Sequence, residues 1–281
     1  MRLLDLPQAK HFCCPNPTVV AAVSKQSLRA YHSSIPRSVI LMREGNIHFQ
    51  VHQINILASV DQWLLFAATH YRRAIDMLVP ASAPWAQVTL YYASFFAANA
   101  ILGMFGGWVG QTQEGLRVVD VEHATPGAQA LRIYRKLSSP HGAAGSHRIF
   151  WDFFYDAAAS IAAWAPASLA SALKPVNGDF AWQITERNIV NYDMFGAWAA
   201  ARLFYERFRN SRLRSVSGPL QLQLEVSECL IKLALQFAND VGLVTDALEG
   251  CGQSGTAAQI RRRLSAQRGP QLITQSAFQQ F

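Results

Sequence analysis

The pattern of apolar and polar positions divides the chain into a mixed first part and a largely helical remainder. Residues 1–37 contain four prolines and show no periodicity, which indicates irregular structure. In residues 38–56 two β-rich runs flank the turn-forming segment 43–46, so this stretch predicts a β-hairpin. Residues 60–79 then space their apolar side chains for one face of a helix, which Pro80 ends.

The next segment carries no charge from residue 77 to residue 113 and includes VTLYYASFFAANAILGMFGGWVG. Its apolar length approaches the roughly 20 residues that cross a bilayer. Polar side chains run through it, however, and each is costly to bury in lipid without a partner. Pro84 suits the first turn of a helix and Gly106 suits its end. The pattern therefore predicts a buried helix at about 85–106 and no membrane span.

The second half alternates between one β-rich insertion and further helices. Two β-like runs between 107 and 140 are separated by the turn signal 125–127, which predicts a small hairpin inserted between helices. Ser146 is positioned to cap a helix that Pro166 closes, and a long helical stretch follows at about 180–209. A last helix ends near Gly242. The predicted fold is mainly α, an antiparallel helical bundle with a small N-terminal β-hairpin and a short β-hairpin insertion.

The composition changes this picture by adding an expectation of partners. The chain is 51% hydrophobic and only 15% charged, below the roughly 25% charged residues of an average domain. The chain has too few charged residues to cover the large solvent-exposed surface of a monomer. This favours a homodimer or a subunit of a larger complex. Four cysteines and no recognisable signal peptide favour a cytoplasmic protein with free thiols.

The charge itself is basic and unevenly placed. The net charge is +7, and the basic residues are 20 Arg and 5 Lys. Residues 255–281 contain four arginines and no acid, a run that favours nucleic acid or an acidic partner but also fits a solvated tail. The expected phosphate contacts in this tail are Arg261, Arg262, Arg263 and Arg268.

Motifs for nucleotide, metal or serine chemistry lack their required context. The segment GCGQSG at 250–255 matches a dinucleotide fingerprint in letters, but no strand precedes it and no βαβ unit surrounds it. There is no phosphate-binding P-loop motif and no nucleophile elbow. His48 and His52, if they lie on a strand, are about 13 Å apart and do not form a metal pair. The sequence therefore predicts no metal site and no cofactor.

The most informative feature is a polar pair, Arg187 and Asn191, within an otherwise apolar helical stripe. On a helix, Gln183, Arg187 and Asn191 share one face with Met194 and Trp198. One explanation is a buried arginine satisfied by carbonyls or by an acid. The other is an anion-facing or RNA-facing pair presented on a rigid helix.

Three segments in order carry a family resemblance: VTLYYASFFAANAIL, GSHRIFWDFFY and ERNIVNYD. Together they resemble the HEPN superfamily (higher eukaryotes and prokaryotes nucleotide-binding), closest to its small prokaryotic branch of helical proteins. The resemblance covers roughly 60–245, and it leaves outside an N-terminal extension, 1–59, and a basic C-terminal tail, 246–281. It implies an antiparallel helical bundle that often dimerises.

Many members of this superfamily are metal-independent endoribonucleases with an R-x(4–6)-H motif. In that motif the arginine stabilises the phosphate charge and the histidine moves the proton of the 2′-hydroxyl. By resemblance Arg187 matches the arginine and Asn188 the polar residue that follows it. Where the histidine is expected this chain has Asn191 and Tyr192, so His147 supplies the imidazole only if the bundle brings it beside Arg187. These five residues are the expected catalytic site.

The resemblance implies an RNA-associated component of a bacterial defence or toxin–antitoxin-like system, and it leaves open whether the protein cleaves RNA. A non-catalytic interaction subunit is the alternative, with an aromatic helix as its interface (Phe150, Trp151, Phe153, Phe154 and Tyr155). A third hypothesis, a membrane-associated protein, depends on residues 85–109.

Overall fold

The computed structural model describes residues 1–16, 18, 19, 23, 26–36, 39–78, 82–113, 115–136, 145–192 and 219–243. Within these residues the protein is mainly helical, with one antiparallel sheet. The helices are α1 (Leu6–Phe12), α2 (Leu28–Ser34), α3 (Ile47–Asp76), α4 (Ala83–Met104), α5 (Ser146–Ile161), α6 (Trp182–Tyr192) and α7 (Pro219–Asp240). The strands are β1 (Leu41–Arg43), β2 (Trp108–Thr112), β3 (Gly115–His123) and β4 (Ala130–Lys136).

The uncharged helix α4 lies at the centre of the protein and packs against α3, α5, α6 and α7. Proline occupies its first turn, as predicted. Its end is closed by Gly106 in the left-handed region (φ 79°) and by a hydrogen bond from the Gly107 N–H to the Leu102 carbonyl. The prediction of a buried central helix is therefore confirmed. None of the described helices is long and apolar enough to cross a membrane.

The predicted N-terminal hairpin is wrong in its second half. Residues 47–56 begin the 30-residue helix α3, and the Asn46 side chain caps it by accepting from the His48 N–H. The buried positions Phe49, Gln53 and Ile56 follow helical spacing and face the core. The β-branched composition of residues 47–56 favoured a strand, but these residues form a helix because one helical face packs against α4. Strand β1 pairs instead with β4.

The inserted hairpin is confirmed. Strands β3 and β4 pair antiparallel through a turn that contains Gly127 at φ 83°. Strand β2 pairs with the other edge of β3. The order of strands in the sheet is β1-β4-β3-β2. Residues of the predicted N-terminal extension join the same hydrophobic core, and α3 runs across residue 59.

The remaining helices follow the predicted order with shifted ends. Helix α5 is capped at Gly145, not Ser146, and no side chain bonds there because Ser146 already lies within the first turn. After Ile161 the chain continues as a short 3₁₀ turn to Trp164. Helix α6 is described to Tyr192, and the rest of the predicted helix 180–209 lies outside the described residues. The last helix ends near Gly242 as predicted.

Candidate active site

Tyr91, on the central helix α4, joins the two residues that the sequence proposed as arginine and base. Its side chain is fully buried. Its hydroxyl oxygen lies 2.7 Å from His147 Nδ1, and the Arg187 guanidinium carbon lies 5.1 Å from the centre of its ring. The second distance is that of a cation–π contact. His147 and Arg187, which lie 56 and 96 positions after Tyr91 in the sequence, thus contact the same tyrosine.

His147 is the second residue of α5 and is half-buried. The ring centre of Phe95 lies 4.8 Å from its imidazole, and that of Tyr92 lies 6.4 Å from it. Burial lowers the pKa of His147, and the positive charge of Arg187 lowers it further. The imidazole is therefore neutral at pH 7. When Nδ1 carries the proton and donates to Tyr91, Nε2 keeps the free lone pair that a general base needs.

Arg187 is held by its neighbour in the chain. Its Nε and Nη2 both donate to the Asn188 side-chain oxygen, at 3.3 and 2.8 Å. The guanidinium is partly exposed, and no carboxylate of the described residues forms an ion pair with it. Its charge is therefore oriented by an amide and an aromatic ring, an arrangement that suits an incoming anion.

Tyr91 serves to position its neighbours and not to transfer protons. Burial raises its pKa well above the ordinary tyrosine value, although the Trp151 hydrogen bond and the Arg187 charge oppose this shift. The Trp151 indole N–H donates to the Tyr91 oxygen at 3.4 Å. The phenol therefore stays protonated at neutral pH, with its ring fixed between α5 and α6.

A buried amide network fixes helix α6 against the rest of the bundle. Gln183, one turn before Arg187, donates to the Tyr155 hydroxyl at 3.0 Å. The Gln223 amide donates to the Gln183 oxygen at 3.0 Å and to Ser94 at 3.1 Å. These bonds connect α4, α5, α6 and α7, so the position of Arg187 is set by four helices.

The expected site residues divide into two groups. Arg187, Asn188 and His147 come together around Tyr91. Asn191 is only partly buried, and Tyr192 is 78% exposed at the last described turn of α6. The four tail arginines (Arg261, Arg262, Arg263 and Arg268), like Met194 and Trp198, lie outside the described residues.

Two further expectations change with the structure. His48 and His52 lie on a helix, not a strand, and His52 pairs with His32 at 3.1 Å instead. Across the described residues there is no cluster of three or more His, Cys, Asp or Glu side chains that could hold a metal.

The aromatic residues of α5 that were expected to form a partner interface are buried within this chain: Phe150, Trp151, Phe153, Phe154 and Tyr155. They are core residues, so that interface prediction is wrong.

Tyr91, at the centre of the site, is not among the functional residues that the sequence predicts. Its signal was the Tyr-Tyr pair at 91–92 within an otherwise apolar helix, because a buried phenol requires a polar partner.

Comparison with known proteins adds no family. No protein-family model matches the chain, and neither a curated protein nor a solved structure shows significant similarity to it.

Proposed function

We propose that the protein is a metal-independent endoribonuclease or RNA-binding relative of the HEPN superfamily, acting in a bacterial defence or toxin–antitoxin-like system. The observation that supports this most is the shared contact of His147 and Arg187 with Tyr91. The resemblance supplies an arginine and asks for an imidazole beside it. His147, on another helix, contacts the same tyrosine as Arg187 and is the candidate for that imidazole.

The proposed reaction is an internal transesterification of RNA. Neutral His147 takes the proton of a 2′-hydroxyl through Nε2, and the 2′ oxygen forms a bond to the adjacent phosphorus. The bond from phosphorus to the 5′ oxygen breaks, and that oxygen receives the proton from the imidazolium, directly or through a water. The products are a 2′,3′-cyclic phosphate and a 5′-hydroxyl end.

Arg187 has the complementary role of stabilising negative charge. The transition state carries excess charge on the phosphoryl oxygens, and a guanidinium fixed beforehand lowers its energy without reorganising. Asn188 holds two of its donors in place. His147 lies in the first turn of α5, where the helix N-terminus carries a positive partial charge.

The test is incubation of the purified protein with total RNA and tRNA in the presence of EDTA. Wild type is compared with Arg187→Ala and His147→Ala, and with the matched controls Arg29→Ala and His123→Ala, whose side chains are exposed on other elements. We expect cleavage by wild type and both controls, and its loss in both site variants. Failure of the folded wild type to cleave or bind RNA would contradict the proposal and favour a non-catalytic interaction subunit.

A further inference from the structure

A row of partly exposed aromatic rings leads across helices α3 and α4 to His147. We call Phe66, His70, Phe96 and Tyr92 the aromatic track. The ring centres of Phe66 and His70 each lie 5.3 Å from that of Phe96. The ring centre of Tyr92 lies 6.2 Å from that of His70 and 6.4 Å from that of His147. The contacts form one continuous path to the candidate base.

The track reaches the surface, although Tyr92 and Phe96 also pack against the hydrophobic core. Phe66 is 44% exposed, and the other three rings are partly exposed. Tyr91, next to Tyr92 in sequence, is in contrast fully buried. Helix α4 therefore directs one tyrosine into the site and leaves the next at the surface, where an apolar face costs solvation free energy unless a ligand covers it.

Positive charge lies at the end of the track that is formed by His70, Tyr92 and His147. Arg73 follows His70 by three positions on α3, on the side away from Phe66. Arg148 follows His147 directly at the start of α5. Both arginine side chains are exposed. Aromatic faces beside exposed arginines fit a polyanion that also carries flat rings.

We propose that the aromatic track binds unpaired bases of single-stranded RNA and leads the strand to His147, an inference that rests on the proposed function. Bases of a single strand stack on aromatic faces, whereas those of a duplex are already stacked on each other. Arg73 and Arg148 would contact the phosphates between them. The track thus selects unpaired RNA, and His147 and Arg187 then act on the bound strand.

The experiment separates binding from cleavage by using a short 2′-O-methyl RNA labelled with fluorescein, which lacks the attacking hydroxyl. Fluorescence anisotropy gives Kd for wild type, Phe66→Leu and Tyr92→Leu, in which leucine keeps apolar bulk but removes the aromatic face. Trp164→Leu is the matched control, since this 42% exposed ring lies beyond the opposite end of α5 from His147. Circular dichroism and urea unfolding confirm that each variant is folded.

We expect each track variant to weaken binding of the single strand about tenfold, the scale of one lost stacking contact. Trp164→Leu should bind like wild type, and the same strand annealed to its complement should bind less tightly. Arg73→Gln should reduce the slope of log Kd against log salt by about 0.7, whereas Arg29→Gln should not.

Several results would overturn the inference. Unchanged Kd in both track variants, with Arg187-dependent cleavage of unmodified RNA intact, would remove the track and leave the proposed function standing. Equal affinity for strand and duplex would do the same. Loss of self-association in the track variants, with RNA binding retained, would assign the surface to a protein interface instead. No binding and no cleavage by wild type would remove both proposals.

Discussion

The buried pair His32 and His52 gives a quantitative prediction for stability against pH. Both side chains are fully buried, and His32 Nε2 lies 3.1 Å from His52 Nδ1. Trp108 stacks on His32 with ring centres 4.3 Å apart. Burial lowers the pKa of His52 to about 3. Burial, together with His52 and Arg117, lowers the pKa of His32 well below its usual value.

The direction of the change in stability with pH follows from how many protons the folded and the unfolded chain bind at these two rings. Above the unfolded pKa of about 6.5 neither state binds a proton at these rings, so they add no pH dependence. As pH falls below that value the unfolded chain takes up protons that the folded pair does not, and stability is lost. From pH 7 to pH 5 each histidine contributes a loss of about 2 kcal/mol, or about 4 kcal/mol for the pair.

Urea unfolding of wild type and His52→Gln at pH 7 and pH 5 measures this loss. Subtracting the two pH values removes the direct cost of the substitution, so the pH-dependent loss in His52→Gln should be smaller by about 2 kcal/mol. His123→Gln, a change at an exposed histidine, should keep the wild-type difference. A wild-type loss under about 1 kcal/mol, or an undiminished loss in His52→Gln, would refute the reasoning.

Three further changes test the site and its support. Tyr91→Phe removes the hydroxyl that orients His147, and it should lower stability by about 1 kcal/mol and cleavage at least tenfold, checked by urea unfolding and initial rates. Gln223→Leu leaves the buried Gln183 side-chain oxygen without its donor, whereas Ser94 keeps its bond to Ser227, and it should lower the free energy of unfolding by about 1–3 kcal/mol, measured with urea. Gly103→Ala places a methyl carbon 2.6 Å from Val60 Cγ2 and should lower the thermal midpoint, with a cost of about 1–3 kcal/mol despite alanine's better helix propensity.

Local sequence signals predicted the elements whose chemistry is local. The Pro84 start and glycine end of the central helix are read from neighbouring residues, and so is the β3–β4 turn. Residues 47–56 were misassigned because their β-branched composition competes with a burial pattern that only packing against α4 reveals. Pairing of β1 with β4 likewise depends on segments almost 90 residues apart.

The candidate site shows the same division. Arg187 and Asn188 are adjacent in the chain, and the position of Arg187 within an apolar helical stripe was visible in the sequence. The contact of His147 with Tyr91 depends on how α4, α5 and α6 pack, which no local pattern contains. The sequence could name His147 as a candidate imidazole, but it could not show that His147 and Arg187 contact the same tyrosine.

A double-mutant cycle on the cleavage rate tests the proposal that His147 and Arg187 act as one RNA-cleaving unit. Single-turnover rates on one defined RNA with EDTA are compared for wild type, His147→Ala, Arg187→Ala and the double variant. We expect the rate to fall at least about 100-fold in each single variant, with little further loss in the double variant. We also expect a 2′,3′-cyclic phosphate on the wild-type product. Wild-type rates in His147→Ala, or single losses that multiply in the double variant, would contradict the proposal.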